Sequence, residues 1–554
     1  MLGSPLHEHH LLRYSVASNL NGSKYVTVSF YDDYQKRVLD IEYTQVSMES
    51  LIKNIESGTA LHLEHVYIHD FSIASYRKSK HLNDDAPVEL NDFTAKGCFF
   101  DCSSGIDFSN VRFTGTKTHF ENCIFANGTA DFSNTVFKSQ DVSFRKSKFG
   151  SGSTVFRSAQ FTEGRVNFNH VNFGTGTTVF VDVNFSTCFV DFRNTYFGDG
   201  TVDFKFSKFK EGPVTFERAH FGKGRKDFKN VEFGLGKLDF KKVQFNDGDV
   251  IFEGVECSND KILFRGSVFG NGVKNFEQCH CTKAVINMEQ VDFGTGILSF
   301  HEAHLGELHL DAVQLNLFTD LRWASCTSLH LNEVILRDIL ELPLLHQTTL
   351  NGLDLNGLRI LGRLFVTWSD ALKGLIYKQP YDFNRKAEQF RVLKENFRTN
   401  GQYEDEDAAY VEYRRCMEQH KLEIYNTGVI SKLYNRIKYA IKWILFDQIG
   451  RYATDPVRVI FHALGTVVLF ACVYWVMAIT HTSWGSVGTT LPETMNRAAE
   501  FGNCLYYSAI TFFTVGYGDY FALGWIKLFA VIEGFCGVFL MSYFTVAFVR
   551  KILR

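Results

Sequence analysis

The middle of this chain is punctuated by phenylalanine at a fixed period. Phe132, Phe144, Phe156 and their successors to Phe264 recur every 12 residues, and a second series from Phe137 through Phe149 to Phe245 lies five residues further on. A period kept over so many copies argues against an ordinary single-core domain. It predicts a solenoid, in which each repeat buries its apolar face only against its neighbours.

Two residues before each second-series phenylalanine stands a small or β-branched residue: Thr135, Ser147, Ala159, Val171, Val183, Thr195, Ser207 and Ala219. Residues two apart on an extended chain face the same side, so each of these points inward with its phenylalanine. The glycines set the length of a coil. Gly128, Gly152, Gly176, Gly200, Gly224, Gly248, Gly272 and Gly296 are 24 apart, and Gly150, Gly174, Gly198, Gly222, Gly270 and Gly294 share that period with Asn246 in the gap. A 12-residue coil would have a perimeter of roughly 40 Å at ~3.3 Å per residue, too tight for two inward phenylalanines. A coil of about 24 residues holds four, as four pentapeptides plus extra corners, one of which demands a positive φ from glycine. At ~4.8 Å per coil the stretch 108–300 would make a rod roughly 40 Å long. Leu350, Leu355 and Ile360 continue the five-residue spacing. With a large apolar residue at each centre and a small one two places earlier, the pattern resembles the pentapeptide-repeat family. That resemblance implies a right-handed quadrilateral β-helix over 91–370.

Towards the other end stands Thr514-Val515-Gly516-Tyr517-Gly518-Asp519. Gly516 and Gly518 let the backbone visit φ/ψ values that a Cβ resists. The carbonyls of Thr514, Val515, Gly516 and Tyr517 then point one way, and four such strips around a pore replace the water shell of K+. The Thr514 hydroxyl would add the innermost oxygens. A lone Gly-Tyr-Gly serves a turn equally well; here the setting gives it meaning. Apolar stretches at 459–479 and 528–549 each approach the ~20 residues that cross a bilayer core. Between them, 499–513 is aromatic-rich and reaches only roughly halfway as a helix. Irregular backbone at membrane depth is tolerated only where it lines a cavity or is buried in protein.

Tyr506-Tyr507-Ser508-Ala509-Ile510-Thr511-Phe512-Phe513, followed by the hexapeptide, closely resembles the pore helix and signature of the two-transmembrane potassium channels. The resemblance covers 457–554, as span 1 (457–480), pore helix (499–513), filter (514–519) and span 2 (526–550). It implies a homotetramer in a lipid bilayer, with K+ as permeant ion and no cofactor. It also implies that Tyr506 and Tyr507 support Tyr517 and that Asp519 hydrogen-bonds behind the filter. Some members carry a Glu four residues before the filter threonine; Ile510 stands there, so that carboxylate pair is missing.

Gly534 and Gly537 lie one turn apart in span 2, either as a gating hinge, for which Gly537 is better placed, or as a close-packing surface. Glu533 is an ionisable group at membrane depth and so a functional candidate; the competing reading is a carboxyl hydrogen-bonded to the pore helix. Lys432, Arg436, Lys438, Lys442, Arg451 and Arg458 precede span 1, and Arg550, Lys551 and Arg554 follow span 2. The loop from His481 to Arg497 has no such basic excess. Both termini are therefore expected on the cytoplasmic side of a cell (inner) membrane. No N-terminal stretch reads as a signal peptide, no span carries the spaced arginines of a voltage sensor, and the scattered cysteines predict no disulfides.

The remaining segments read as a mixed capping region (1–90), a connector helical hairpin (371–428) and an amphipathic interfacial linker (429–456). His7, His9 and His10, and Cys257, Cys279, His280 and Cys281, are weak metal candidates; a mobile terminus and core filling explain them as well. The net charge of −3 and the mixed charges of the repeats argue against a nucleic-acid partner or a DNA mimic. No phosphate loop, zinc spacing or nucleophile triad points to an enzyme. Two functions compete: a K+ channel modulated by its N-terminal β-helix, through an unknown cytosolic ligand or protein, and a membrane-tethered scaffold whose β-helix binds a protein partner.

Overall fold

The computed structural model describes residues 13–18, 24–32, 34–101, 105–126, 128–258, 260–343, 350–424, 429–480, 485–490 and 497–553. They form two compact units, Met1–Gln379 and Pro380–Arg554. His7, His9 and His10 lie outside the described residues.

Residues 44–365 wind into a β-solenoid of about 13 turns with ~24 residues per coil. Each short strand pairs in parallel with its equivalent one coil on, as Ile124 with Lys148, Val136 with Gln160 and Thr154 with Thr178. The amides of Phe132 and Phe156 donate to the carbonyls of Val155 and Val179 at 2.7 Å, so each coil satisfies the backbone of its neighbour.

The phenylalanines form four buried columns, which makes the coil four-sided. Phe132, Phe156 and Phe180 stack at 4.8 and 4.9 Å, and Phe144, Phe168 and Phe192 at 5.2 and 4.8 Å. These two columns meet edge to face, Phe132 against Phe144 at 5.4 Å and 89°. Phe137, Phe161 and Phe185 make a third column at 4.4 and 5.0 Å, and Phe125, Phe149 and Phe173 a fourth at 4.5 and 5.4 Å. Parallel stacking along the rod and edge-to-face contact across it both suit the ring quadrupole. The inward small residues are buried as expected. Their hydroxyls also work: Thr135 and Thr195 donate to the carbonyls of Phe108 and Phe168 at 2.8 Å, locking successive coils together.

The glycine corners do two things: Gly174 (71°), Gly198 (65°) and Gly294 (60°) take the positive φ that the spacing suggested. Gly152, Gly176, Gly200 and Gly224 have no positive φ; a Cβ on any of them would collide with the carbonyl of the glycine one coil earlier. Close approach of stacked corners, not left-handed backbone, therefore excludes a side chain there. Positive φ also recurs two residues after each first-series phenylalanine, at Asn134 (55°), Lys146 (60°), Ser158 (54°), His170 (57°) and Asp182 (56°). An acidic or amide residue before the phenylalanine often caps that turn, as where Asp191 Oδ1 accepts the Arg193 amide at 3.1 Å.

Both ends of the solenoid depart from the expected boundaries. Parallel pairing begins where Thr44–Val46 meets Val66–Ile68, well before residue 91. The cap is the antiparallel meander Arg13–Ser18, Tyr25–Tyr31 and Arg37–Val46, whose Val26, Val28, Phe30 and Tyr43 pack with Phe99. Two short helices, α1 (Met48–Glu56) and α2 (Ile73–Ser79), are inserted there. At the other end α3 (Asp370–Lys378) buries Leu372, Leu375 and Ile376, and the Gln379 amide donates to the Leu353 carbonyl. That helix closes the solenoid rather than opening a hairpin. Late coils shorten: Leu308 pairs with Leu329 and Thr319 with Leu340. Cys257 stands one coil after Phe233, and with Cys279 and Cys281 it lines a small apolar cavity of about 20 Å³. These cysteines fill core, and among the described residues all cysteines are free.

In the second unit, α4 (Phe383–Thr399) and α5 (Tyr403–Ile424) form an antiparallel hairpin that turns at Gly401 (φ 73°). Phe390, Leu393 and Phe397 are buried in it. Helix α6 (Val429–Lys442) exposes Leu433, Tyr434, Ile437 and Ile441 on one stripe and continues into a π-helical turn, Trp443–Gln448. Then come α7 (Pro456–Ile479), α8 (Arg497–Phe512) and α9 (Ile526–Ile552), with a short antiparallel pair, Val487–Thr489 and Tyr520–Ala522.

Two predictions follow from the solenoid. Gly176→Ala drives its Cβ onto the Gly152 carbonyl and should cost about 1–3 kcal/mol in thermal unfolding followed by circular dichroism. Gly374→Ala, inside α3 where a Cβ meets nothing within 4 Å, should cost nothing. Lys226 and Lys274 point inward, and burial pushes both down to about 8. The unfolded chain then binds more protons than the folded one between about 8 and the ordinary lysine value of 10.5. Their contribution therefore makes the fold more stable as pH rises through that window, and Lys226→Met with Lys274→Met should flatten the rise.

Candidate pore and its supports

Helices α7 and α9, of 24 and 27 residues, are the described helices long and apolar enough to span a bilayer. At 1.5 Å per residue they run roughly 36–40 Å, against a core of about 30 Å. Both expose large apolar residues, Phe461, Leu464 and Leu469 on α7 and Val531, Phe535 and Val538 on α9. Helix α8 has 16 residues, too few to cross, and it ends directly against the hexapeptide.

The handover is tight. The amides of Thr514 and Val515 donate back to the carbonyls of Thr511 and Ile510 at 3.1 and 2.8 Å. Then φ alternates: Thr514 (53°), Gly516 (58°) and Gly518 (83°) are left-handed, while Val515 and Tyr517 between them are not. Alternating hands turn successive carbonyls to one side of the strand. Glycine accepts this freely. Thr514 accepts it with a Cβ, a strain of the sort that collects at functional sites and one the sequence did not disclose. Among the described residues no backbone amide donates to the carbonyls of Thr514, Val515, Gly516 or Tyr517. The Thr514 hydroxyl donates to the Phe513 carbonyl at 2.7 Å. Val515 and Tyr517 are 49% and 72% exposed in the single chain.

Around the strip, Asp519 Oδ1 accepts the Tyr520 amide at 3.1 Å, and the Asp519 carbonyl accepts that of Thr490 at 3.0 Å. The Tyr506 ring lies 5.7 Å from that of Tyr520, next to Asp519. Tyr507 turns the other way and is buried 5.1 Å from the Tyr474 ring of α7. Within one chain the two tyrosines thus anchor different things, the outer end of the strip and the first span.

Glu533 is fully buried and joins three helices. It accepts the Tyr474 hydroxyl of α7 at 2.7 Å and bonds Ser508 of α8, whose hydroxyl also donates to the Val467 carbonyl at 2.8 Å. Ser508 has one hydrogen for two acceptors. The set closes when Glu533 is itself protonated and donates to Ser508 Oγ. Glu533 thus bonds both the pore helix and the first span. One turn on, a Cβ at Gly537 would collide with the Phe512 carbonyl, whereas one at Gly534 would come no nearer than 3.9 Å to the Thr511 carbonyl. Close approach of α9 to the end of α8 demands glycine at Gly537, and Gly534 is the freer position.

Where α5 meets the start of α7 and the end of α9 there is a clamp that sequence reasoning missed, having taken the hairpin for a plain connector. Arg415 of α5 makes a two-pronged bond, both arms 2.8 Å, to Asp447 in the π turn. Asp407 of α5 bonds Arg550 at 3.0 Å, and the Arg550 guanidinium lies 4.4 Å from the Tyr410 ring. The Tyr543 hydroxyl of α9 donates to the Phe446 carbonyl and accepts the Ala453 amide, both at 2.9 Å. One hairpin helix therefore holds both the entry to α7 and the end of α9. The only advance sign was the run of acidic residues opening α5.

Residues 461–554 match the family model described as "Ion channel". The C-terminal segment is an ion-channel domain. No curated protein and no solved structure matches the chain. Two apolar helices and this domain make it a membrane protein.

The Glu533 knot of the channel domain gives a direct test. Glu533→Gln keeps a donor for Ser508 and an acceptor for Tyr474, and should leave conduction and thermal stability close to those of the parent. Glu533→Ala strands the buried Tyr474 hydroxyl at about 1–3 kcal/mol, and should lower the unfolding temperature and the current together.

Proposed function

We propose that the protein is a potassium-selective channel, four copies of the chain surrounding one pore. The observation that carries this reading is the alternating backbone of Thr514–Gly518 at the end of a helix too short to cross the membrane. Four consecutive carbonyls without a backbone donor suit a dehydrated K+, whose water they replace when four strips converge. Thr514, Val515, Gly516 and Tyr517 would supply the ligands. The exposure of Val515 and Tyr517 in the single chain supports assembly, since such side chains pack against neighbouring subunits. Ions move passively, and no bond is made or broken.

The basic residues flanking α7 and α9 favour cytoplasmic termini in a cell (inner) membrane. The exposed apolar stripe of α6 suits a helix lying on the cytoplasmic leaflet. The clamp from α5 supports modulation from the N-terminal side: moving the hairpin would pull on Asp447 before α7 and on Arg550 at the end of α9.

Rubidium uptake into liposomes holding the purified full chain tests conduction. The expected result is uptake blocked by barium and abolished by Gly516→Ala. No uptake under several conditions would favour the scaffold reading instead. For modulation, Asp407→Asn removes the charge that pairs with Arg550, and single-channel recording should show an open probability changed severalfold at unaltered selectivity. An unchanged open probability would contradict the lever.

A further inference from the structure

On one face of the solenoid Glu307, His309 and His330 gather with ligand atoms all within 4.8 Å of one another. Parallel pairing brings them together. His309 and His330 are direct partners on neighbouring coils, shortened here from the usual repeat, and their rings stack at 4.1 Å and 7°. Glu307 lies two residues before His309 and so on the same face. All three are half-buried, leaving an opening to solvent.

The hydrogen-bond arithmetic around His309 is the informative part. Asp311 Oδ2 lies 3.3 Å from Nδ1, and Glu307 Oε2 lies 3.2 Å from Nε2. Carboxylates only accept, and a neutral imidazole has one N–H. With Nδ1–H given to Asp311, the Nε2 lone pair faces a carboxylate oxygen. That pair is favourable only with a proton or a cation between them. Two ligands on one tetrahedral zinc, at bonds of ~2.0–2.1 Å, stand roughly 3.3 Å apart, close to the 3.2 Å found. Asp311 then plays the part of the outer carboxylate that fixes the tautomer of a metal-bound histidine. A second imidazole beside the gap adds nothing to a simple imidazolium but supplies a third donor to a metal.

We propose that Glu307, His309 and His330 bind a divalent transition-metal ion of the zinc class, oriented by Asp311, with a fourth position open to water or to a donor from a partner. Imidazole with carboxylate suits zinc over calcium or magnesium. A metal here would pin two successive coils of the solenoid together.

The test uses the purified full chain in detergent, dialysed against chelator, with His7, His9 and His10 replaced by alanine so that the terminus contributes nothing. Zn2+ titrated by calorimetry at neutral pH should fill one site per chain, with a micromolar or tighter Kd. His330→Ala and Glu307→Gln, checked for unchanged metal-free unfolding, should each weaken binding at least about tenfold. Co2+ added to the unsubstituted site should give the intense visible bands of tetrahedral coordination, lost in His309→Ala. Absence of a bound ion, binding that survives His330→Ala and Glu307→Gln, or a Co2+ spectrum of octahedral type would each overturn the proposal. The Co2+ spectrum needs no variant and so decides even if a substitution unfolds the chain.

Discussion

A peptide carbonyl taken out of water must find a partner, and this chain meets that demand in two opposite ways. In the solenoid the coils give their carbonyls to their neighbours, as Val155 does to Phe132 and Val179 to Phe156. The period of the sequence is the period of that pairing. It also decides the side chains: four phenylalanines per coil fill the interior, and corners that touch must be glycine, because the carbonyl of the preceding corner occupies the space of a Cβ. At Thr514–Tyr517 the chain does the reverse. Alternating φ turns the carbonyls the same way and leaves them without backbone donors, and in the function proposed the partner is the ion.

An arrangement of that kind must be held from behind. Helix α8 is held against both spans by Ser508, which bonds Val467 of α7 and Glu533 of α9, and by the contact of Gly537 with Phe512. Tyr474 completes the knot. At the opposite ends of the same spans, Arg415–Asp447 and Asp407–Arg550 tie both to one hairpin helix. Part-buried ion pairs of this sort add little net stability but are costly to break singly, which makes them better as register devices than as glue.

Much of this was legible in the sequence, for particular reasons. The coil length followed from Gly152, Gly176 and Gly200, and the four-fold interior from two phenylalanine series, since a strict period leaves one geometry. The strip at 514–519 and its flanking spans were plain from length and apolarity. Other features were not. The glycine columns suggested positive φ, which Gly174 and Gly198 adopt, but no pattern announced the further left-handed positions at Asn134, Lys146 and Ser158. There the turn is imposed by its neighbours and tolerates almost any side chain. The solenoid start near residue 44 was hidden because its first coils lack the phenylalanine period. The Asp407–Arg550 pair joins residues far apart in sequence, and no local pattern announces it. Nor does any local pattern show that Gly537 meets the Phe512 carbonyl.

The central claim is that the carbonyls of Thr514–Tyr517 replace the water of K+ and not of Na+. The reversal potential of the purified full chain in a planar bilayer, with K+ on one side and Na+ on the other, measures that preference directly. A reversal driven far towards the side that K+ dictates is the predicted result. A reversal near zero, with current flowing, would show a pore that does not tell the two ions apart and would contradict the account.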